Sequence, residues 1–324
     1  MQYAQLGATG LRVSKICLGC LSYGTPNNPT HPWVIGEAGA RPLLHKALDA
    51  GINFFDTANR YSNGASEEIL GRVLLPARPR EELVIASKVG LAVGDHPNAS
   101  GLSRKHIMES LDATLRRLGT DYVDLYYVHR LDDHTPIEES LEVLNDLVRV
   151  GKVLYLGCSS TWAWKFVQMR EMQKQNGWAQ FVAMQNLYNL CYREEEREMI
   201  PYCLDSGVAL LPWSPIARGF LAGKPPAEGA PSERASTETT SVRMFGSEQD
   251  HAILAQVEEV ARKLDVKPAQ VALAWTWAKG VTAPIIGATK GHHISDAVGA
   301  LDIALDEATL AALERPYHPR PLIL

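Results

Sequence analysis

Residues 122–160 read YVDLYYVHRLDDHTPIEESLEVLNDLVRVGKVLYLGCSS. The run at 122–128 is short and rich in Tyr, Val and Leu, the composition of a buried strand. The segment PIEESLEVLNDLVRV that follows has the apolar spacing of an amphipathic helix over 137–150, and Gly151 stands just past its end. A second strand is predicted at 153–157. Strand, crossover helix and strand make one parallel unit. The same alternation fills the chain. Further strands are predicted at 15–19, 52–56, 83–87, 181–185, 208–212 and 283–286, eight in all. Helices are predicted at 40–50, 66–74, 103–118, 161–175, 194–206, 268–279 and 292–300, with Ser103 and Gly119 as boundary signals and Pro268 in a first turn. Eight strands with eight crossover helices predict an α/β fold of one domain over 1–324, a (β/α)8 TIM barrel rather than an open sheet. Neither G-x-G-x-x-G nor G-x-x-x-x-G-K-[ST] occurs, which argues against a Rossmann or P-loop protein. Residues 2–14 read as a hairpin cap, and 217–247 as a long polar connection of functional type.

Bulk properties narrow the function. The 324 residues are 46% hydrophobic, with a net charge of −5 and a pI near 6.1. Neither a nucleic acid nor a membrane is expected as a partner. Apolar runs such as ALAWTWA fall short of the roughly 20 residues that span a bilayer. No signal peptide is read at the N-terminus. Five cysteines, an odd number, read as reduced thiols in a cytoplasmic protein. Cys17 and Cys20 lie inside the apolar run KICLGCL and are expected to pack in the core rather than serve redox or metal chemistry. His292 and His293 point in different directions on a helix, so no metal is expected.

A barrel of this kind keeps its active site at the C-terminal ends of the strands. There the chain offers Asp56, with Tyr61 five residues on, then Lys88, then His129 followed by Arg130. Singly, each has an ordinary reading: Asp56 as a cap, Lys88 snorkelling, His129 in the core, Tyr61 as packing. Jointly, at successive strand ends, they read as a site. An Asp beside a Lys keeps both charged in a semi-buried cavity. The ammonium is expected to lower the pKa of a neighbouring phenol, which could then protonate a carbonyl oxygen as hydride arrives. His129 would orient that oxygen or relay the proton.

These residues lie in GINFFDTANRYSNGASEEILGRVL, IASKVG and YVDLYYVHR, and the chain resembles the aldo-keto reductase superfamily end to end. EEREMIPYC, LLPWSPIARGFLAGK and PAQVALAW are similar to the branch of aryl-alcohol dehydrogenases and potassium-channel β-subunits. The resemblance implies the tetrad Asp56, Tyr61, Lys88 and His129, and reversible, nicotinamide-dependent reduction of aldehydes or ketones. It implies that Ser159, Ser160 and Gln185 hold the carboxamide, that Trp213 stacks on the nicotinamide, and that Ser214, Ile216, Arg218, Lys224 and Arg234 serve the pyrophosphate. Gly287, Thr289 and Asp296 match the adenosine end. His293 stands where the family often has Arg or Gln, and Ala297 where it has Asn. Lys290, or a protonated His293, would then have to meet a 2′-phosphate. NADPH is the expected cofactor, with NADH left open.

The small carbonyl substrate, aromatic or phosphorylated, is expected against Tyr23, Trp33, Asn59, Arg130 and Trp162. Arg130 has two readings: it attracts an anionic substrate group, or it pairs with Asp132 or Asp133. Two other functions stay open: a nicotinamide-binding, redox-sensing regulatory subunit of a partner protein, and a barrel with unrelated hydrolase or isomerase chemistry. Homo-oligomerisation is not legible in the sequence.

Overall fold

The computed structural model describes residues 1–26, 28, 31–223 and 244–319. It opens with an antiparallel hairpin, β1 (Tyr3–Gln5) and β2 (Arg12–Ser14). The barrel strands are β3 (Cys17–Gly19), β4 (Phe54–Asp56), β5 (Val84–Val89), β6 (Val123–Val128), β7 (Val153–Ser159), β8 (Phe181–Gln185), β9 (Ala209–Leu210) and β10 (Ile285–Gly287). All pair in parallel in the order β10-β3-β4-β5-β6-β7-β8-β9. The ring closes where the Ile285 N–H donates to Pro212 O at 2.9 Å and the Thr282 N–H to Leu210 O at 3.0 Å. The fold is therefore the expected (β/α)8 barrel, with helices α1 (Glu37–Asp49), α2 (Ala65–Ala77), α3 (Arg104–Leu118), α4 (Ile137–Arg149), α5 (Ala163–Gln175) and α6 (Met199–Asp205) around its first part. Then come α7 (Glu248–Leu264), α8 (Pro268–Ala278), α9 (Gly291–Gly299) and α10 (Glu307–Glu314).

Two apolar cores follow from the pleat. Successive strand side chains point to opposite faces. Cys17, Phe54, Val84, Ala86, Leu125, Tyr127, Ala183, Ala209, Leu211, Ala283 and Ile285 fill the barrel interior, and Leu6 and Val13 of the hairpin join them. The alternate residues, such as Leu18, Phe55, Ile85, Tyr126 and Met184, pack outward against the helices. Continuing the inward parity by one step gives Asp56, Lys88, His129, Ser159, Gln185 and Trp213. One alternation thus brings six candidate residues to one end of the barrel.

Several elements differ from expectation. The strand expected at 208–212 is only Ala209–Leu210, because Pro212 has no N–H to give a ladder. The helix expected at 194–206 is a 3-10 turn, Glu194–Glu196, followed by α6, with Glu198 at φ −143° interrupting it. Helices α7 and α10 were not foreseen. Ser247 and Asp250 close a capping box on α7, and Asp306 caps α10. Ser103 does cap α3, Gly119 ends it at φ 72°, and Cys17 and Cys20 are buried in the core. No helix among the described residues is long and apolar enough to cross a membrane.

Candidate active site

Lys88 is fully buried on β5, and all three of its N–H donors are used. They go to Asp56 Oδ2 at 2.6 Å, Thr57 O at 2.8 Å and Tyr61 Oη at 3.1 Å. Asp56 Oδ1 accepts from Gln185 Nε2 at 2.9 Å, so the carboxylate is held from both sides. The loop carrying Tyr61 is strapped to the end of β5 by Thr57 N–H to Ala86 O, 2.9 Å, and Asn59 N–H to Lys88 O, 3.4 Å. Beyond Tyr61 the chain turns through Ser62, Asn63 and Gly64, all at positive φ. His129 meets Tyr61 edge to face with ring centroids 6.0 Å apart. The four residues expected to form a tetrad therefore lie together.

The electrostatics correct one expectation. Burial raises the Tyr61 phenol above its ordinary pKa; Lys88 pulls it down but does not outweigh burial. The phenol therefore stays protonated at neutral pH, which is the form a proton donor needs. Burial also opposes the Lys88 charge, yet Asp56 and Tyr61 together hold its pKa above the ordinary lysine value. Burial, with the charges of Lys88 and Arg130, keeps His129 well below the usual histidine range, and so neutral.

Further round the rim, Ser159 Oγ donates to Gln185 O at 3.0 Å, and Ser160 Oγ accepts from Trp213 Nε1 at 3.1 Å. Asn189 Nδ2 donates to Ser214 O at 2.9 Å, and the Arg218 guanidinium lies 5.9 Å from the Trp213 ring centroid. Ile216 packs half-buried against the core. Ser160, Ser214, Ala217 and Arg218 are all left-handed, at φ 45°, 54°, 48° and 57°. Such conformations are costly for residues with a Cβ and gather at functional sites. Lys224 and Arg234 lie outside the described residues.

At the end of β10, Gly287 and Thr289 are exposed, and the Thr289 N–H donates to His293 Nδ1 at 3.3 Å. Lys290 is exposed beside them. His293 is held below its ordinary pKa by burial, then by His292 and Lys290, so it is a weak source of charge. Asp296 is ion-paired to Lys267 at 2.7 Å. Lys267, which precedes Pro268 in the chain, is a cation that sequence reasoning missed. Nothing local in sequence links it to residue 296. The donor set suits a nicotinamide dinucleotide: a half-buried indole face, a fixed amide at Gln185, and cations further out.

The five candidate substrate residues separate. Tyr23, Trp33 and Asn59 are buried, Arg130 is half-buried, and Trp162 stands out at 45% exposed. The Tyr23 hydroxyl and both Asn59 amide atoms are buried without a hydrogen-bond partner. The loop bearing Tyr23 and Trp33 is pinned by Gly24 N–H to Ile35 O and Ile35 N–H to Ser22 O. Arg130 pairs with neither Asp132 nor Asp133. Asp132 accepts instead from the N–H groups of Leu102, His134 and Thr135 and from the Thr135 hydroxyl. No metal-type cluster of three His, Cys, Asp or Glu occurs among the described residues.

Comparison with known proteins identifies the family. Residues 15–317 match the sequence model of the Aldo/keto reductase family. The chain is 43% identical to versiconal hemiacetal acetate reductase of Aspergillus parasiticus, covering 99% of this chain and 98% of that one. It is 41% identical to an aldo-keto reductase of Fusarium vanettenii, over 99% and 92%. It is 40% identical to a putative aryl-alcohol dehydrogenase of Schizosaccharomyces pombe, over 99% and 97%.

Proposed function

Since the chain belongs to the aldo/keto reductase family, and is thus an oxidoreductase acting on carbonyl compounds, we propose that it reduces a small aldehyde or ketone to the alcohol with NADPH, Tyr61 being the proton donor. One observation carries the reading. Lys88 spends its three donors on Asp56, Thr57 and Tyr61, and the phenol oxygen accepts one of them. The proton of Tyr61 is then left for a substrate oxygen.

The residues divide the work. NADPH, held by Trp213, Gln185, Ser159 and Ser160, would supply the hydride to the carbonyl carbon. As negative charge grows on the substrate oxygen, Tyr61 hands over its proton, and Lys88 stabilises the phenolate left behind. Asp56 keeps Lys88 charged and in place, and Gln185 keeps Asp56 in place. Neutral His129 fixes the direction of the substrate oxygen without competing as an acid. In the alcohol direction the same phenolate takes the proton back.

The preference for NADPH over NADH rests on Lys290 and Lys267 near His293. Both are cations suited to a phosphate; Lys290 has no ion pair among the described residues, and Lys267 would share its charge between Asp296 and the phosphate. Nicotinamide fluorescence titration of Lys267→Ala should weaken NADPH about tenfold and leave NADH unchanged; equal weakening of both removes Lys267 from the phosphate. The reaction itself is tested with 4-nitrobenzaldehyde and NADPH. Tyr61→Phe should lose about 10²–10⁴-fold in kcat while still binding NADPH. A variant as active as the parent ends the assignment of Tyr61.

A further inference from the structure

Arg130 follows His129, and its guanidinium is half-buried beside the site, close enough for its charge to act on both Tyr61 and His129. Its two hydrogen bonds both leave from Nη1 and both go to neutral acceptors, His129 O at 2.6 Å and Ser159 Oγ at 3.2 Å. Asp132, the acid nearest in sequence, is saturated by four donors, three from its own loop and the Leu102 N–H from the connection after β5. Among the described residues no carboxylate comes within ion-pair distance of Arg130. The charge balance around Tyr61 is therefore uneven: Asp56 answers Lys88, and no described carboxylate answers Arg130. A partly desolvated cation without a counter-ion is costly unless a ligand brings the anion. Nε and Nη2 are the two nitrogens that a planar oxyanion engages side by side, and both are uncommitted.

We propose that Arg130 is a specificity-determining residue that receives a carboxylate or phosphate carried by the substrate a few bonds from its carbonyl. The favoured substrates are then oxo acids, formyl acids or phosphorylated aldehydes, and their neutral counterparts are turned over less efficiently. The inference rests on the reductase reading above, with the carbonyl oxygen between Tyr61 and His129. With that oxygen fixed, Arg130 is the adjacent side chain on the His129 side, so the anion sits at one end of the substrate and the reacting carbonyl at the other. The bond to Ser159 holds the guanidinium in orientation, so its fork is set before the substrate arrives.

The test compares kcat/KM at saturating NADPH for three pairs: phenylglyoxylate with its methyl ester, 4-formylbenzoate with its methyl ester, and glyceraldehyde 3-phosphate with glyceraldehyde. The parent should prefer the anionic member of at least one pair by tenfold or more. Arg130→Met should collapse that ratio by about 10- to 100-fold, mainly through KM, as expected for a lost charge-assisted bond. Arg130→Lys, which keeps the charge and loses the fork, should retain an intermediate ratio and guards against a folding defect in the first variant. A parent without preference in all three pairs overturns the proposal, as does a ratio that survives in Arg130→Met. A rise in the NADPH Kd of Arg130→Met with its ratio unchanged assigns the oxyanion to the cofactor and also overturns it. Parent turnover of 4-nitrobenzaldehyde in the same assay separates these outcomes from a failure of the reductase reading itself.

Discussion

Tyr61 sits between two opposed influences, and their order decides the pH behaviour of the reaction. Burial pushes the phenol up and Lys88 pulls it down, with burial ahead. The acid form therefore persists through neutrality, so reduction should be flat between about pH 6 and 8. Burial and two neighbouring cations keep His129 neutral, so kcat/KM should show no acid limb near the ordinary histidine value of about 6.5. A limb there would mean that the imidazole titrates in the working enzyme. Alcohol oxidation needs the phenolate instead, and its rate should climb with pH through the tyrosine pKa. Replacing Lys88 with Met removes the influence that lowers that pKa, so the climb should move to higher pH while kcat falls at least about 10²-fold. An oxidation profile that stays in place would show that Lys88 does not act on the phenol.

At the scale of elements, the strands do more than hold residues up. Parallel pairing places Lys88 beside Tyr127, and Tyr127 beside Gly157. A Cβ on Gly157 would come within 2.5 Å of the Tyr127 ring. Glycine is required there because the ring of one strand occupies the inward space of the next. Gly157→Ala should cost about 1–3 kcal/mol, read as a lower urea midpoint, and should slow turnover by shifting β6, whose end carries His129. A variant with parental stability would mean that the ring can move aside. Elements also explain the misses. Helix α7 was legible in its Ser247–Asp250 capping box and in the spacing of Ile253, Leu254, Val257 and Val260, but it follows directly on a long polar connection. The short β9 follows from Pro212, a local rule that the apolar run around it obscured.

For the whole molecule, the site depends on a barrel closed at both ends of the strand order. The hairpin contributes Leu6, wholly buried in the interior core with Val13 and Phe54. Leu6→Ala should cost about 2–5 kcal/mol of stability through the cavity it leaves, with kcat near the parental value, because the hairpin is not part of the catalytic face. Calorimetry and a 4-nitrobenzaldehyde assay would check both. A marked fall in kcat without loss of stability would show coupling between the hairpin and the catalytic end.

The eight-strand barrel and the placing of Asp56, Lys88 and His129 at strand ends were legible in the sequence itself. Side-chain alternation has a period of two, and a parallel unit announces its own ends, so Asp56, Lys88 and His129 could be placed on one rim from local pattern. The roles expected of them rest on charge and proton chemistry and on the resemblance of these motifs to a family. Tertiary structure alone decided the rest, because the deciding contacts join residues distant in the chain. Lys267 reaches Asp296 across 29 positions, and Gln185 reaches Asp56 across 129. Burial of Tyr61, which reverses the expected direction of its pKa, is a sum over the whole fold. Arg130 has no acid partner among the described residues, and Asp132, two positions on, spends its oxygens on Leu102, His134 and Thr135 instead.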